Sequence, residues 1–297
     1  MTEPPHIGDG VAHPGRGLVA ATFLLSLALA GCASLVSSAA GGLSDSLGAA
    51  ILNQDDPETV RDGAPAFLLM LDSFAKGSPD NSAMLRAAAE LYAAYGTVFV
   101  DDPDRARRLT ARALRYGRRA LCLDHPPACD IWGLGFTEFS RAVNGFDKKS
   151  TPSAYTVGLS WLAYIRAHRD DWSALAELPN AEAILERVAR LDGNFKAAKV
   201  EHLLGVMNTL RPPALGGKFD VGREHYERAI SLSGGKDLGI KVDFARYYAR
   251  TLYDRELHDA LLTEVLEADP HHEGLTLMNT IAQREARELL DSGDDYF

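Results

Sequence analysis

From residue 57 onward, apolar positions return every three or four residues. Leu85, Ala88, Tyr92, Tyr95 and Phe99 keep this step, as do Ala106, Leu109, Ala113, Tyr116 and Ala120. Tyr155, Gly158, Leu162 and Ile165 continue it, followed by Val200, Leu203, Met207 and Leu210, then Phe219, Gly222, Tyr226 and Ala229. This is the period of one helix face. No stretch alternates β-branched with polar residues between turns, so the pattern predicts an all-α chain. Punctuation agrees: Asp102-Pro103 reads as an N-cap followed by proline at the first helical position, where a missing N–H costs nothing. "SPDN" at 78–81, "DHPP" at 124–127, "LDGN" at 191–194, "SGG" at 233–235 and "ADP" at 268–270 are expected to end successive helices.

Several helix ends are alike: "YGRRALCLDHP", "ILERVARLDGN", "YERAISLSGG" and "LLTEVLEADP". Aligning Ala189, Ala229 and Val265 gives spacings of 40 and 36 residues. The tetratricopeptide (TPR) period is 34, and these ends resemble its second helix, where a small residue admits the paired helix. The expected architecture is an α-solenoid of degenerate TPR-like antiparallel helix pairs. The segment 130–150, "DIWGLGFTEFSRAVNGFDKKS", fits no repeat and is expected to be an insertion.

The beginning of the chain breaks the pattern. Leu18 to Ala30 is a run of thirteen residues with only Thr22 and Ser26 as polar interruptions. As a helix it rises about 20 Å at ~1.5 Å per residue, short of the ~30 Å hydrocarbon core. Its length fits a signal-peptide apolar region of roughly 7–15 residues. Leu29-Ala30-Gly31-Cys32 then resembles a bacterial lipobox, which implies diacylglyceryl transfer to Cys32 and removal of the leader. Residues 1–31 are read as a lipoprotein signal peptide, 32–50 as a lipid-attached linker and 51–297 as the TPR-like domain. The formal net charge of −10 disfavours nucleic acid as a partner. Nothing after Cys32 is apolar for long enough to cross a bilayer.

Two other cysteines stand in "CLDHPPAC". Export to an oxidising compartment favours a Cys122–Cys129 disulfide. Free thiols are the alternative, and metal binding is weaker, because only His125 stands nearby.

The lipobox, "NQDDPETVRDGAPAFLLMLDSF", "AAAELYAAYGTVFVDDPDRARRLTARALRYGRRALCL", "RPPALGGK", "DRELHDALLTEVLEADP" and the terminal "DDYF" follow one another in this order. Together they resemble the T-component lipoproteins of TRAP (tripartite ATP-independent periplasmic) transporters. The resemblance covers roughly residues 30–297 and rests on the order of the segments, since no single motif is diagnostic. It implies a periplasmic, lipid-anchored homotrimer with a channel or cleft in each protomer. It also implies a solute-binding P-component as partner, and sequestration or handover of a small hydrophobic or organic-acid ligand. Ala33 after Cys32, in place of an aspartate, leans toward the outer membrane.

Helical arrays bind on their surfaces rather than catalyse, and aromatics are natural cavity linings. Tyr92, Tyr95, Phe99, Trp161, Tyr164, Tyr247 and Tyr248 are therefore cavity candidates, with core packing as the plainer reading. The helix from 103 carries Arg105, Arg107, Arg108, Arg112, Arg115, Arg118 and Arg119, one basic side on an acidic protein. Arg108, Arg112, Arg115 and Arg119 form a candidate docking strip for an acidic partner, unless acids of neighbouring helices neutralise them. "RPPALGGK" lacks the spacing of a phosphate loop and reads as a turn. "HHE" at 271–273 reads as a solvated turn, and His202, His225 and His258 as isolated structural or exposed side chains. No His-Glu-x-x-His or Gly-x-Ser-x-Gly motif is present, so no enzyme activity, metal or cofactor is expected. The alternative to a ligand-binding transport protein is a TPR-like envelope scaffold without a small ligand, and an enzyme with a concealed site is a distant third.

Overall fold

The aspartates and asparagine ahead of the apolar stretches set where the helices begin. Asp56 accepts from the Glu58 N–H, Asn81 from Met84, Asp102 from Arg105 and Asp254 from Leu257. Each satisfies one of the donors left open in a first helical turn. The computed structural model describes Met1 and residues 48–297. The apolar run, Cys32 and most of the linker lie outside the described residues. Leu52–Phe297 forms one compact unit.

Thirteen α-helices and no strand occur from residue 57 onward, so the protein is all-α. The first five are α1 (Pro57–Gly77), α2 (Ser82–Val98), α3 (Pro103–Asp124), α4 (Phe136–Asn144) and α5 (Thr151–Ala167). Next come α6 (Trp172–Ala176), α7 (Leu178–Leu191), α8 (Ala197–Thr209), α9 (Phe219–Leu232) and α10 (Leu238–Asp243). A π-helical turn, Phe244–Ala249, follows, and then α11 (Arg255–Glu267), α12 (Thr276–Asp291) and α13 (Gly293–Tyr296). The five breaks read from the sequence all fall at helix ends, with Asp124 and Leu191 as the last helical residues of α3 and α7.

Two neighbouring pairs, α2 with α3 and α8 with α9, run antiparallel. Arg86 near the start of α2 reaches Asp124 at the end of α3, while Arg105 near the start of α3 reaches the Tyr95 hydroxyl. In α8 and α9, Glu201 meets Arg228 and Thr209 meets Tyr226. Helix α5 lies against α3 and α7, and Gly158 is what lets α7 so close. A Cβ there would stand 2.4 Å from Leu185 Cδ2.

The main core extends from Leu114 on α3 to Leu289 on α12. A second cluster gathers Ala64, Leu68, Tyr92, Tyr95 and Ala113 between α1, α2 and α3. The 130–150 segment has its own helix, α4, and Phe139 and Val143 are fully buried in the main core. Phe139, Trp132 and Trp161 form a ring cluster with centroids 5.9 to 6.4 Å apart.

The π turn is the irregularity with most consequence. Arg250 and Asp254 donate their N–H groups to carbonyls five residues back, Ala245 and Ala249. Such turns often mark functional positions. Here adjacent tyrosines take opposite environments: Tyr248 is buried against Phe219 and Phe244, whereas Tyr247 lines a cavity.

Candidate functional site

Three cavities adjoin around the ends of α2, α5 and α8. The middle one, about 300 Å³, is lined by Gly96, Thr97, Val100, Pro103, Ala106, Arg166, Leu210 and Tyr247, with Asp101 and Arg169. Thr97 and Arg166 also line a cavity of about 110 Å³ walled by Lys199, His202, Asp237, Asp243, Arg246 and Glu285. Arg169, Leu210 and Tyr247 also line one of about 530 Å³, with Trp172, Leu175, Pro212 and Leu215. The series passes from a chamber walled by charges to one with more apolar lining, which Asp170 and Arg211 also border. Volumes of this order suit small organic ligands.

In the charged chamber, most groups are committed to one another. Lys199 Nζ donates to Asp237 Oδ2 at 2.6 Å, and the Asp237 side chain is only 5% exposed. His202 Nε2 meets Asp243 Oδ2 at 2.9 Å. Arg246 spans two acids, Asp243 at 3.4 Å and Glu285 at 2.7 Å. Burial pushes the Asp243 carboxyl up, but the bond to His202 and the charges of Arg166 and Arg246 outweigh it. They hold that carboxyl well below the usual carboxylate range. Desolvation acts to lower the Arg246 pKa; Asp243 and Glu285 overcome it and raise the group above the ordinary guanidinium value.

Arg166 differs. It is the single charged residue of α5 and stands one residue before the helix ends. Its guanidinium carbon lies 5.4 Å from the centre of the Tyr247 ring. No described residue accepts a hydrogen bond from it or pairs with it within 4.0 Å, although Tyr247 and Asp243 keep its pKa above the ordinary value. A cation–π contact uses the face of the guanidinium and leaves its edge donors open.

The seven candidate aromatics do not converge. Tyr92 is buried and donates to Asp72 at 2.8 Å; Tyr95 donates to the Arg61 carbonyl and packs on Phe99 at 5.8 Å. Trp161 is buried and its Nε1 donates to Glu177 at 2.6 Å; Tyr164 lies on His168 at 4.0 Å. With Tyr248 in the core, Tyr247 alone of the seven lines any of the three cavities. Helical faces distribute the other rings to several different seams, the plainer core-packing reading for Tyr92, Trp161 and Tyr248. Arg166, His202, Asp243, Arg246 and Glu285 were missed. A lone charge ending an otherwise uncharged helix was the one available signal, and it pointed to Arg166.

The basic side of α3 divides in two. Arg112 pairs with Asp72 at 2.7 Å, Arg107 with Asp104 and Asp170, and Arg118 lies over Trp132 and Trp161 at 4.8 and 4.7 Å. Arg108, Arg115 and Arg119 are exposed, and none is paired with an acid within 4.0 Å among the described residues. Spaced by seven and four, they share a face.

The histidines are not isolated. His202 holds Asp243, and His225 meets Glu201 at 2.6 Å. His258 is fully buried between Asp259 and Arg250. In the 271–273 turn His271 meets Asp269 at 2.8 Å. Among the described residues no three His, Cys, Asp or Glu side chains converge to hold a metal ion. Cys122 and Cys129 are joined by a disulfide, their Cα atoms 4.6 Å apart. In "RPPALGGK", Gly216 takes a positive φ of 86°. A Cβ on Gly217 would strike the Arg211 carbonyl oxygen at 2.0 Å, so this turn requires both glycines.

The molecule is thus an all-α protein with a run of adjoining cavities, and no helix among its described residues is long and apolar enough to cross a membrane. The family model described as TRAP transporter T-component matches residues 53–297, and the chain belongs to that family. It is associated on that ground with a TRAP transporter. No curated protein matches the chain.

Proposed function

We propose that this protein is a ligand-holding accessory of a TRAP transporter, tethered through a lipidated Cys32 on the periplasmic face of a membrane, with the outer membrane favoured. Its helix pairs act as degenerate TPR-like repeats. They dock the solute-binding P-component and pass a small ligand to or from it, and the working unit is a homotrimer. The run of adjoining cavities carries this reading, because a scaffold that only grips other proteins has no need of neighbouring clefts that share Arg166 and Tyr247. The exposed Arg108, Arg115 and Arg119 supply the docking strip toward an acidic surface.

The test is capture of the tethered protein from an envelope extract, followed by native mass spectrometry. A TRAP P-component and a small molecule in the same particle are expected. Capture of the P-component with no small molecule, under conditions that preserve weak complexes, would favour the second reading. In that reading the protein is an envelope scaffold, for which the unpaired arginine face is the observation in favour.

A further inference from the structure

The middle cavity combines a cation lacking an acceptor among the described residues with a more apolar neighbouring cavity. Every other basic group of the charged chamber is held: Lys199 by Asp237, Arg246 by Asp243 and Glu285. The acids near Arg166 are likewise engaged, Asp243 with His202 and Arg246, Glu285 with Arg246. Arg166 therefore contributes a charge that the fold itself does not neutralise at bonding distance. A partly buried guanidinium with open edge donors offers an arriving anion charge-assisted hydrogen bonds in a site shielded from water. Tyr247 covers its face, so the planar N–H edge is what remains to meet a ligand. On the other side of Tyr247 and Leu210 the walls are Trp172, Leu175 and Leu215, with Asp170 and Arg211 on the same cavity.

We propose that Arg166 is the anchor of a carboxylate-binding site. The ligand class is a small monocarboxylate with an apolar body: the carboxylate sits on the Arg166 fork in the middle cavity, and the body extends past Tyr247 and Leu210 into the apolar one. Asp101 on the middle cavity wall disfavours a second negative charge on the ligand, and Arg169 on the same wall favours the first. This proposal rests on the ligand-holding reading above and gives it a site and a chemistry.

Octanoate is the probe, titrated calorimetrically into the whole processed protein against a detergent-only blank. Octanamide and octanesulfonate serve as comparisons. One saturable site for octanoate is expected, at least about tenfold tighter than for octanamide, the ratio lost with one charge-assisted pair. Arg166→Gln should remove that preference, and Arg166→Lys should keep part of it. Equal binding of octanoate and octanamide, an unchanged preference in Arg166→Gln, or binding of octanesulfonate but not octanoate would overturn the assignment. Should Arg166→Gln fail to fold, the octanoate and octanamide titrations of the unaltered protein decide. Capture of the P-component by the unaltered protein is scored separately. Its loss sinks the transport reading, whereas its persistence without octanoate binding sinks the site alone.

Discussion

Arg166 lies over the ring of Tyr247, 5.4 Å from its centre, and between them these two residues line all three adjoining cavities. They come from helix α5 and the π turn, 81 positions apart in the chain. The contact itself is worth about 0.5–2 kcal/mol. Its larger effect is steric, because it fixes where the positive charge ends and the apolar wall begins.

The carboxylate of Asp243 is predicted to hold the wall of the charged chamber. Asp243→Asn leaves His202 and Arg246 without their shared acid and should cost about 3 kcal/mol at neutral pH. A carboxyl depressed in the folded state stabilises it fully above the unfolded value of about 3.9, and that contribution fades as pH falls toward the folded value. The difference between the unaltered protein and Asp243→Asn in urea unfolding should therefore be constant above about pH 5 and shrink below pH 4. A gap that grows on acidification would contradict the assignment.

Gly158 is predicted to be a packing requirement. Alanine there must displace Leu185, whose Cδ2 stands 2.4 Å from the added carbon, at a cost of about 1–3 kcal/mol. Combined with Leu185→Ala, the Gly158→Ala penalty should largely disappear in a double-mutant cycle. Additive losses would mean that α7 yields elsewhere.

Charge reversal at Arg108 and Arg115 should leave helicity and melting temperature near those of the unaltered protein, since neither is paired with an acid among the described residues. Capture of the P-component should fall at least about tenfold, the effect of opposing like charges across a contact. Arg112→Glu, by contrast, breaks the Asp72 pair and should also lower stability. Equal capture by the reversed and unaltered proteins would remove this face from the docking model.

The Cys122–Cys129 bridge closes a loop with a sequence separation of seven, so its stabilisation should be modest, about 2 kcal/mol by loop entropy. Replacing both cysteines by serine should lower the unfolding free energy by that amount and leave octanoate affinity unchanged. A change in affinity would show that the loop communicates with the cavities.

Much of the architecture was legible from local chemistry. Asn81, Asp102-Pro103 and the glycines at 234–235 act within a turn of themselves, so they announce helix ends without reference to the rest of the molecule. The π turn was not legible, because its carbonyl pairing five residues back leaves no three-and-four periodicity. The environments of the candidate aromatics were not legible for a related reason. Periodicity shows that Tyr92 and Trp161 share a face with other apolar residues, but not which neighbour that face meets.

What the sequence alone determined was the all-α class, the helix boundaries and the family, all properties of residue order and short-range capping. The tertiary structure decided which charges are spent on one another and which remain. Arg108 and Arg112 look equivalent as residues, yet Asp72 from α1 reaches only the second. Arg166 ends a helix as many arginines do, and only the packing of α5 against the π turn leaves its edge facing a cavity. Pairing depends on distances between segments remote in the chain, and local pattern carries no record of them.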